Sequence, residues 1–180
     1  MLGVVFTTLI DMLEENVSPD FADEVLVEAD FPHQGAYTAV GYYPFEEMVT
    51  LLTILSNKTG KTVNELLYDY GIYLFNTLIN AHPQVATDKY SVVDILKSLE
   101  DDIHVQVRKL YADADLPTFE VIDSSDSHID LLYTSKRELY ALAEGLIDGA
   151  AARFNNKIER STEKAEKPGT YALSVKIIDE

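Results

Sequence analysis

One histidine and one five-residue segment carry most of the chemistry this sequence could perform. His104 lies in Leu99-Glu100-Asp101-Asp102-Ile103-His104-Val105, one step from the apolar stripe of its helix. A neutral imidazole so placed can coordinate iron through one ring nitrogen while the other fixes its orientation. Taken alone, a helical histidine is more often simply packed. The segment Tyr133-Thr134-Ser135-Lys136-Arg137 sets donors at alternate positions. In an extended chain, residues 133, 135 and 137 point to one side. Two hydroxyls and a guanidinium fork there suit an anionic group bearing paired carboxylates; alone, the segment is equally a strand end with a helix cap. His33, His82 and His128 fall beside turn residues or helix ends and read as surface groups. Enzymatic constellations are poor. There is no Gly-rich phosphate loop, no G-x-S-x-G elbow and no H-E-x-x-H. A triad built on Ser135 and His104 has no support in the spacing, and Asp101-Asp102 says little in so acidic a chain.

The elements that must position these groups follow from periodicity. Val5, Leu9, Leu13 and Val17 recur every four residues and predict a helix. A second short helix is expected over Phe21 to Ala29. Pro44 opens a third, with Phe45, Met48, Leu51, Leu52 and Leu55 inward and Gly60 as its stop. Thr62 and Glu65 form a capping-box pattern ahead of Leu66, Leu67, Tyr70, Leu74 and Leu78, and Pro83 ends that helix. Ser91 caps another, whose Leu96, Leu99, Ile103, Val107 and Leu110 keep helical spacing to about Tyr111. The period then changes. Phe119 and Val121 alternate, Ser124 to Ser127 turn, and Ile129, Leu131 and Tyr133 alternate, which is a hairpin signature. Helix is expected again over Lys136 to Phe154, with strands at Lys157 to Glu159 and Tyr171 to Ile178. The predicted class is α+β: an N-terminal helical part packed on a C-terminal four-stranded antiparallel sheet with an inserted helix. No linker or repeat divides residues 1–180, so one domain is expected.

Composition narrows the partners. The chain has 180 residues, 14 Lys+Arg and 31 Asp+Glu, for a net charge of −17. Nucleic acid and anionic membrane would be repelled. No Lys or Arg precedes Lys58, while residues 1–57 hold ten acidic side chains. This is a solvated acidic face, or a surface that selects a protein partner by charge. With no cysteine, disulfides, thiolate catalysis and Cys-bound zinc or iron–sulfur clusters are excluded. Residues 1–17 lack the basic start and cleavage site of a signal peptide, and no apolar run approaches the roughly 20 residues of a membrane span. A soluble cytoplasmic protein is expected.

The motifs in combination resemble the haem–nitric oxide/oxygen binding (H-NOX) family, the sensor fold related to the haem domain of soluble guanylate cyclase. The resemblance rests on His104 in its L-x-D-x-I-H-like setting, Pro117 thirteen residues later, and Tyr133, Ser135 and Arg137 as Y-x-S-x-R after a hairpin. It extends to Leu2-Gly3-Val4-Val5-Phe6, Tyr43-Pro44-Phe45-Glu46-Glu47, Asp69-Tyr70-Gly71 and Ala143 through Ala150. It implies b-type haem (iron protoporphyrin IX) held between the helical part and the sheet. His104 would be the proximal iron ligand, and Tyr133, Ser135 and Arg137 would bind the propionates. Pro117 would press on the porphyrin and distort it, and Gly71 would lie close to the proximal side.

The open iron face would meet Val5, Leu9, Leu74, Leu78, Leu142 and Leu146. Members that hold oxygen stably use a distal tyrosine; the aligned position here is Leu142. Tyr140, about 200° around a helix from it, should not substitute. Oxygen would then lack a donor worth about 1.5–3 kcal/mol, or roughly 10- to 100-fold in affinity. The resemblance therefore implies NO binding, with CO weaker and oxygen poor, and no catalysis. NO would weaken or break the iron–His104 bond. The cysteines that form a zinc cluster in some relatives are missing, and no attached kinase or cyclase is expected, so signalling is expected to pass to a separate histidine kinase or cyclic-di-GMP enzyme. An oxygen sensor of the same fold is the alternative, or a haem carrier or store without signalling.

Overall fold

The structure is a computed structural model that describes residues 1–86 and 89–178. Helix α1 (Gly3–Asn16) buries Phe6, Leu9, Met12 and Leu13. The expected stripe holds at Leu9 and Leu13 but not at its end: Val17 lies past the helix and is 58% exposed. Four-residue steps advance 40° more than a full turn, so Val17 would be about 120° from Val5 even had the helix continued. Helix α2 (Pro19–Ala29) begins two residues before the expected Phe21, because Ser18 Oγ accepts the Phe21 N–H and Pro19 fills the first turn. Helix α3 (Phe45–Thr59) stops at Gly60, whose φ of 73° closes a left-handed cap. The Thr62–Glu65 capping box opens α4 (Val63–Ala81), with hydrogen bonds running in both directions.

After a 3₁₀ turn at Pro83–Ala86, Ser91 caps α5 (Val92–Lys97). The helix expected to run on to Tyr111 is interrupted. A π turn over Leu99–Ile103 separates α5 from α6 (His104–Leu110). Strands β1 (Thr118–Ser124) and β2 (His128–Thr134) form the expected hairpin. Helix α7 (Tyr140–Arg153) starts four residues later than Lys136. The Glu138 N–H bonds the Ser135 carbonyl, and Glu138 takes a left-handed φ of 48°, which no α-helix accommodates. Strand β3 (Ile158–Lys164) is longer than its sequence suggested, and β4 (Thr170–Ile177) completes one antiparallel sheet ordered β1-β2-β4-β3. Among the described residues no helix is long and apolar enough to cross a membrane.

Two cores result. The first gathers α1 to α4, with Phe6, Leu9, Met48, Leu51, Leu55 and Tyr70 among its buried members. The second sets α4, α5 and α7 on one face of the sheet. That face comes from the central pair, where Ile129, Leu131 and Tyr133 stand opposite Val175, Leu173 and Tyr171. Tyr140 and Leu146 of α7 touch both cores.

The joint between the cores is a backbone contact of α4 with α7. Side chains at Gly71 and Gly145 would fill it. A Cβ on Gly71 would run into the Leu142 carbonyl oxygen, and one on Gly145 into the Tyr68 carbonyl oxygen and, at 2.9 Å, the Gly71 Cα. All of these are backbone atoms, so no rotamer change relieves the clash. Gly145→Ala should therefore destabilise the protein by about 1–3 kcal/mol, read as a lower urea midpoint with an unchanged m-value.

Candidate functional site

The π turn decides where His104 points. Its wide turn is written in i→i−5 bonds: the Ile103 N–H reaches the Ser98 carbonyl at 3.0 Å, and the His104 N–H reaches Leu99. One extra residue in a turn rotates everything after it by about 100°. The inward face thus moves off the expected 103/107/110 stripe and onto residue 104. His104 is the one buried residue of α6, while Leu110 is 72% exposed.

The imidazole is oriented by a carboxylate one turn before it. His104 Nδ1 lies 2.8 Å from Glu100 Oε1, and among the described residues Nε2 has no hydrogen-bond partner. With Nδ1–H donated to the carboxylate, Nε2 carries the free lone pair. The same Oε1 also accepts the backbone N–H of Phe119 at 3.0 Å, and Oε2 lies 3.3 Å from Arg108 Nη2. Burial works to raise the Glu100 carboxyl, but hydrogen bonds from His104 and the Phe119 N–H outweigh it and leave it below the usual carboxylate range.

From His104 a chain of rings crosses the sheet. Phe119 lies 5.8 Å from the imidazole, Tyr133 5.4 Å from Phe119, Tyr171 6.2 Å from Tyr133, and Tyr140 stacks on Tyr171 at 4.5 Å. Pro117, half-buried, immediately precedes β1.

Tyr133, Ser135 and Arg137 do come together, but not along an extended strand as expected. Strand β2 ends at Thr134, and a turn brings the Arg137 N–H to Ser135 Oγ at 3.1 Å. Tyr133 is buried, which raises its phenol, while Ser135 and Arg137 nearby pull it down. The Arg137 guanidinium lies over the Phe45 ring and is held by Asp115, at 2.8 Å to the carbonyl and 3.0 Å to the carboxylate. Arg137 is mostly covered, whereas the Asp115 side chain is 66% exposed.

The aliphatic candidates line the first core or the seam. Leu9 and Leu74 are buried, and Val5, Leu78, Leu142 and Leu146 are half-buried and pack on that core. Two hydroxyls near them are engaged elsewhere. Tyr70, fully buried, donates to the Val5 carbonyl. The Tyr140 hydroxyl accepts from Asn64 Nδ2 at 2.8 Å at the exposed rim. Gly71 sits against α7, as described above.

The remaining histidines behave differently from one another. His82 is an exposed helix cap. His128 lies between Asp130 at 3.1 Å and Asp123 at 3.9 Å, so both of its nitrogens face carboxylates. His33 is not the surface group expected: it packs among Phe31, Tyr37 and Tyr43, with Nε2 3.0 Å from Glu47 and a buried Nδ1 without a partner. Open hollows of about 540 and 360 Å³ lie along α7 and do not border His104. The sequence reading missed Glu100, Phe119, Asp115 and Tyr70 as partners. Only Glu100 carries a local signal, the i−4 spacing from His104.

A family model for haem-NO-binding proteins matches residues 2–162. Among solved structures, the chain is similar to the Fe(II) unliganded H-NOX protein of K. algicida at 29% identity, covering 100% of this chain and 98% of that one with a TM-score of 0.92. It is similar to the S. oneidensis H-NOX protein in the Fe(II)NO state at 25% identity, covering 99% and 100%, with a TM-score of 0.91. An oxygen-binding H-NOX domain related to soluble guanylate cyclases, in its oxygen complex, matches at 25% identity over 99% and 96%, with a TM-score of 0.84. No curated protein matches by sequence.

Proposed function

Because the chain belongs to the haem-NO-binding family, we propose that residues 1–180 form one cytoplasmic sensor domain in which His104 ligates b-type haem and NO is the signal read. It is a haem-binding sensor and not an enzyme. The observation that carries the ligand assignment is the imidazole itself: buried, fixed through Nδ1, and with Nε2 unclaimed. That is the donor chemistry an axial iron ligand needs. When bound, the haem supplies an open coordination position for a diatomic gas.

The protein groups divide the remaining work. Arg137, Ser135 and Tyr133 would hold the propionates. Asp115 pairs with the guanidinium, so a propionate held by Arg137 would take the place of an exposed carboxylate. Pro117 and Phe119 bear on the His104 side. Val5, Leu9, Leu74, Leu78, Leu142 and Leu146 exclude water from the gas side and offer no donor.

Ligand choice follows from the same side chains. Relatives at the same 25% identity are described with NO and with oxygen, so identity does not choose the gas. The side chains favour NO, with CO weaker: the six aliphatic residues carry no donor, the Tyr70 hydroxyl spends its proton on the Val5 carbonyl, and the Tyr140 hydroxyl lies at the exposed rim beside Asn64. Release of His104 would free α6 to move, and a separate histidine kinase or cyclic-di-GMP enzyme that binds the two arrangements with different free energies would read it.

Three outcomes check this. Purified protein should show a Soret band that shifts with NO when reduced, and His104→Gly should lose the haem unless imidazole is supplied; haem retained without imidazole rejects the ligand. Arg137→Ala should release haem to apomyoglobin about 10-fold faster, as expected for a loss of roughly 1.4 kcal/mol. Leu142→Tyr should raise oxygen affinity roughly 10- to 100-fold and give a stable oxygenated spectrum in air; stable oxygenation of the unaltered protein would favour an oxygen sensor instead.

A further inference from the structure

We propose that Glu100 is a positioning residue that joins His104 to the start of β1, so that displacement of the imidazole is felt at the Phe119 amide. The inference rests on the haem reading above. One oxygen, Glu100 Oε1, serves two donors: His104 Nδ1 at 2.8 Å and the Phe119 N–H at 3.0 Å. Phe119 belongs to β1, which pairs with the rest of the sheet through β2 alone. Its N–H is met by a side chain of the π turn, and among the described residues no strand lies on the far side of β1. The imidazole and the Phe119 ring also touch directly, 5.8 Å between centroids. The π turn and the first residues of β1 are thus tied by one carboxylate oxygen and one ring contact.

A shared acceptor transmits motion in a definite way. If the imidazole leaves its present position, Glu100 either follows it and releases the Phe119 N–H, or stays and releases the imidazole. In the first case the amide loses its side-chain partner; in the second the acceptor is relieved of a competitor. Both change the bond at Phe119, two residues from Pro117. The carboxylate also holds the Nδ1–H tautomer and adds electron density to the ring, which strengthens donation from Nε2. Arg108 touches only the other oxygen, Oε2, so it steadies the carboxylate without taking part in the exchange.

The test is Glu100→Gln in the haem-loaded protein. The iron–histidine stretching band of the reduced, unliganded form should move to lower frequency by resonance Raman, and haem should dissociate about 10-fold faster, the low end of the effect of losing an outer-shell partner. By hydrogen exchange, the Phe119 amide of the unaltered protein should exchange at different rates with and without NO. In Glu100→Gln the two rates should converge. Arg108→Ala should keep the band within error of the unaltered protein. Should Glu100→Gln fail to fold, Glu100→Asp keeps the charge but is one methylene too short to serve both donors, and should show the same convergence. A stretching band at its normal frequency, or a Phe119 amide that still responds to NO in the variant, overturns the proposal. Unaltered protein that takes up no haem overturns the haem reading and this inference together, whereas normal haem uptake with an unaffected variant overturns this inference alone.

Discussion

Helices α4 and α7 meet backbone to backbone, and this contact is the constraint on which the arrangement of the other elements depends. With only hydrogens at Gly71 and Gly145, the helices approach closely enough that a single side-chain carbon at either position would strike a carbonyl. The approach brings Leu74 and Leu78 on one helix beside Leu142 and Leu146 on the other, and it lets Leu146 and Tyr140 belong to two cores at once. Helix α7 consequently has no purely solvent-facing side. Small residues turn inward toward the sheet (Ala143, Ala150, Ala151), and leucines turn toward the helical core.

The seam is also fastened by charge. Arg160 of β3 reaches Asp148 at 2.8 Å and Glu144 at 2.9 Å, both on α7, and Tyr68 of α4 donates to Asp148 at 2.6 Å. Thr162 of β3 donates to Glu144 as well. Side chains from α4, α7 and β3 therefore meet in one hydrogen-bonded group, with Arg160 about one-fifth exposed. Hydrogen bonds to Asp148 and the nearby carboxylates outweigh burial and keep the guanidinium firmly charged. Groups half-removed from water and mutually satisfied contribute more to fixing orientation than to net stability.

Most of the fold was legible because apolar periodicity and capping residues agree with the tertiary structure. The Thr62–Glu65 box, the Gly60 stop, and the alternation of Ile129, Leu131 and Tyr133 all recur as read. The misses have identifiable causes. Strand β3 escaped notice beyond Glu159 because its inward positions include Arg160 and Thr162, whose burial depends on partners far away in the chain. The π turn left no mark in a pattern of residue types, yet it decides which side of α6 faces inward. At the site, His104 was identifiable by its motif, while the bond from its partner Glu100 to Phe119 spans nineteen positions and arises only from the tertiary fold. Asp115 was unremarkable among so many acids until the turn after β2 brought Arg137 against it.

Strand β1 breaks step at Ile122. Val121 pairs with Leu131 and Asp123 with Asp130, which leaves Ile122 without an opposite number. Val121 and Ile122 are both exposed there, 43% and 56%, and a flat strand carrying such side chains would be an open template for a second copy. The irregularity bends the free margin, so its outward amides do not stand in an even row. The molecule can thus leave greasy residues at the rim of its sheet without inviting strand-on-strand polymerisation.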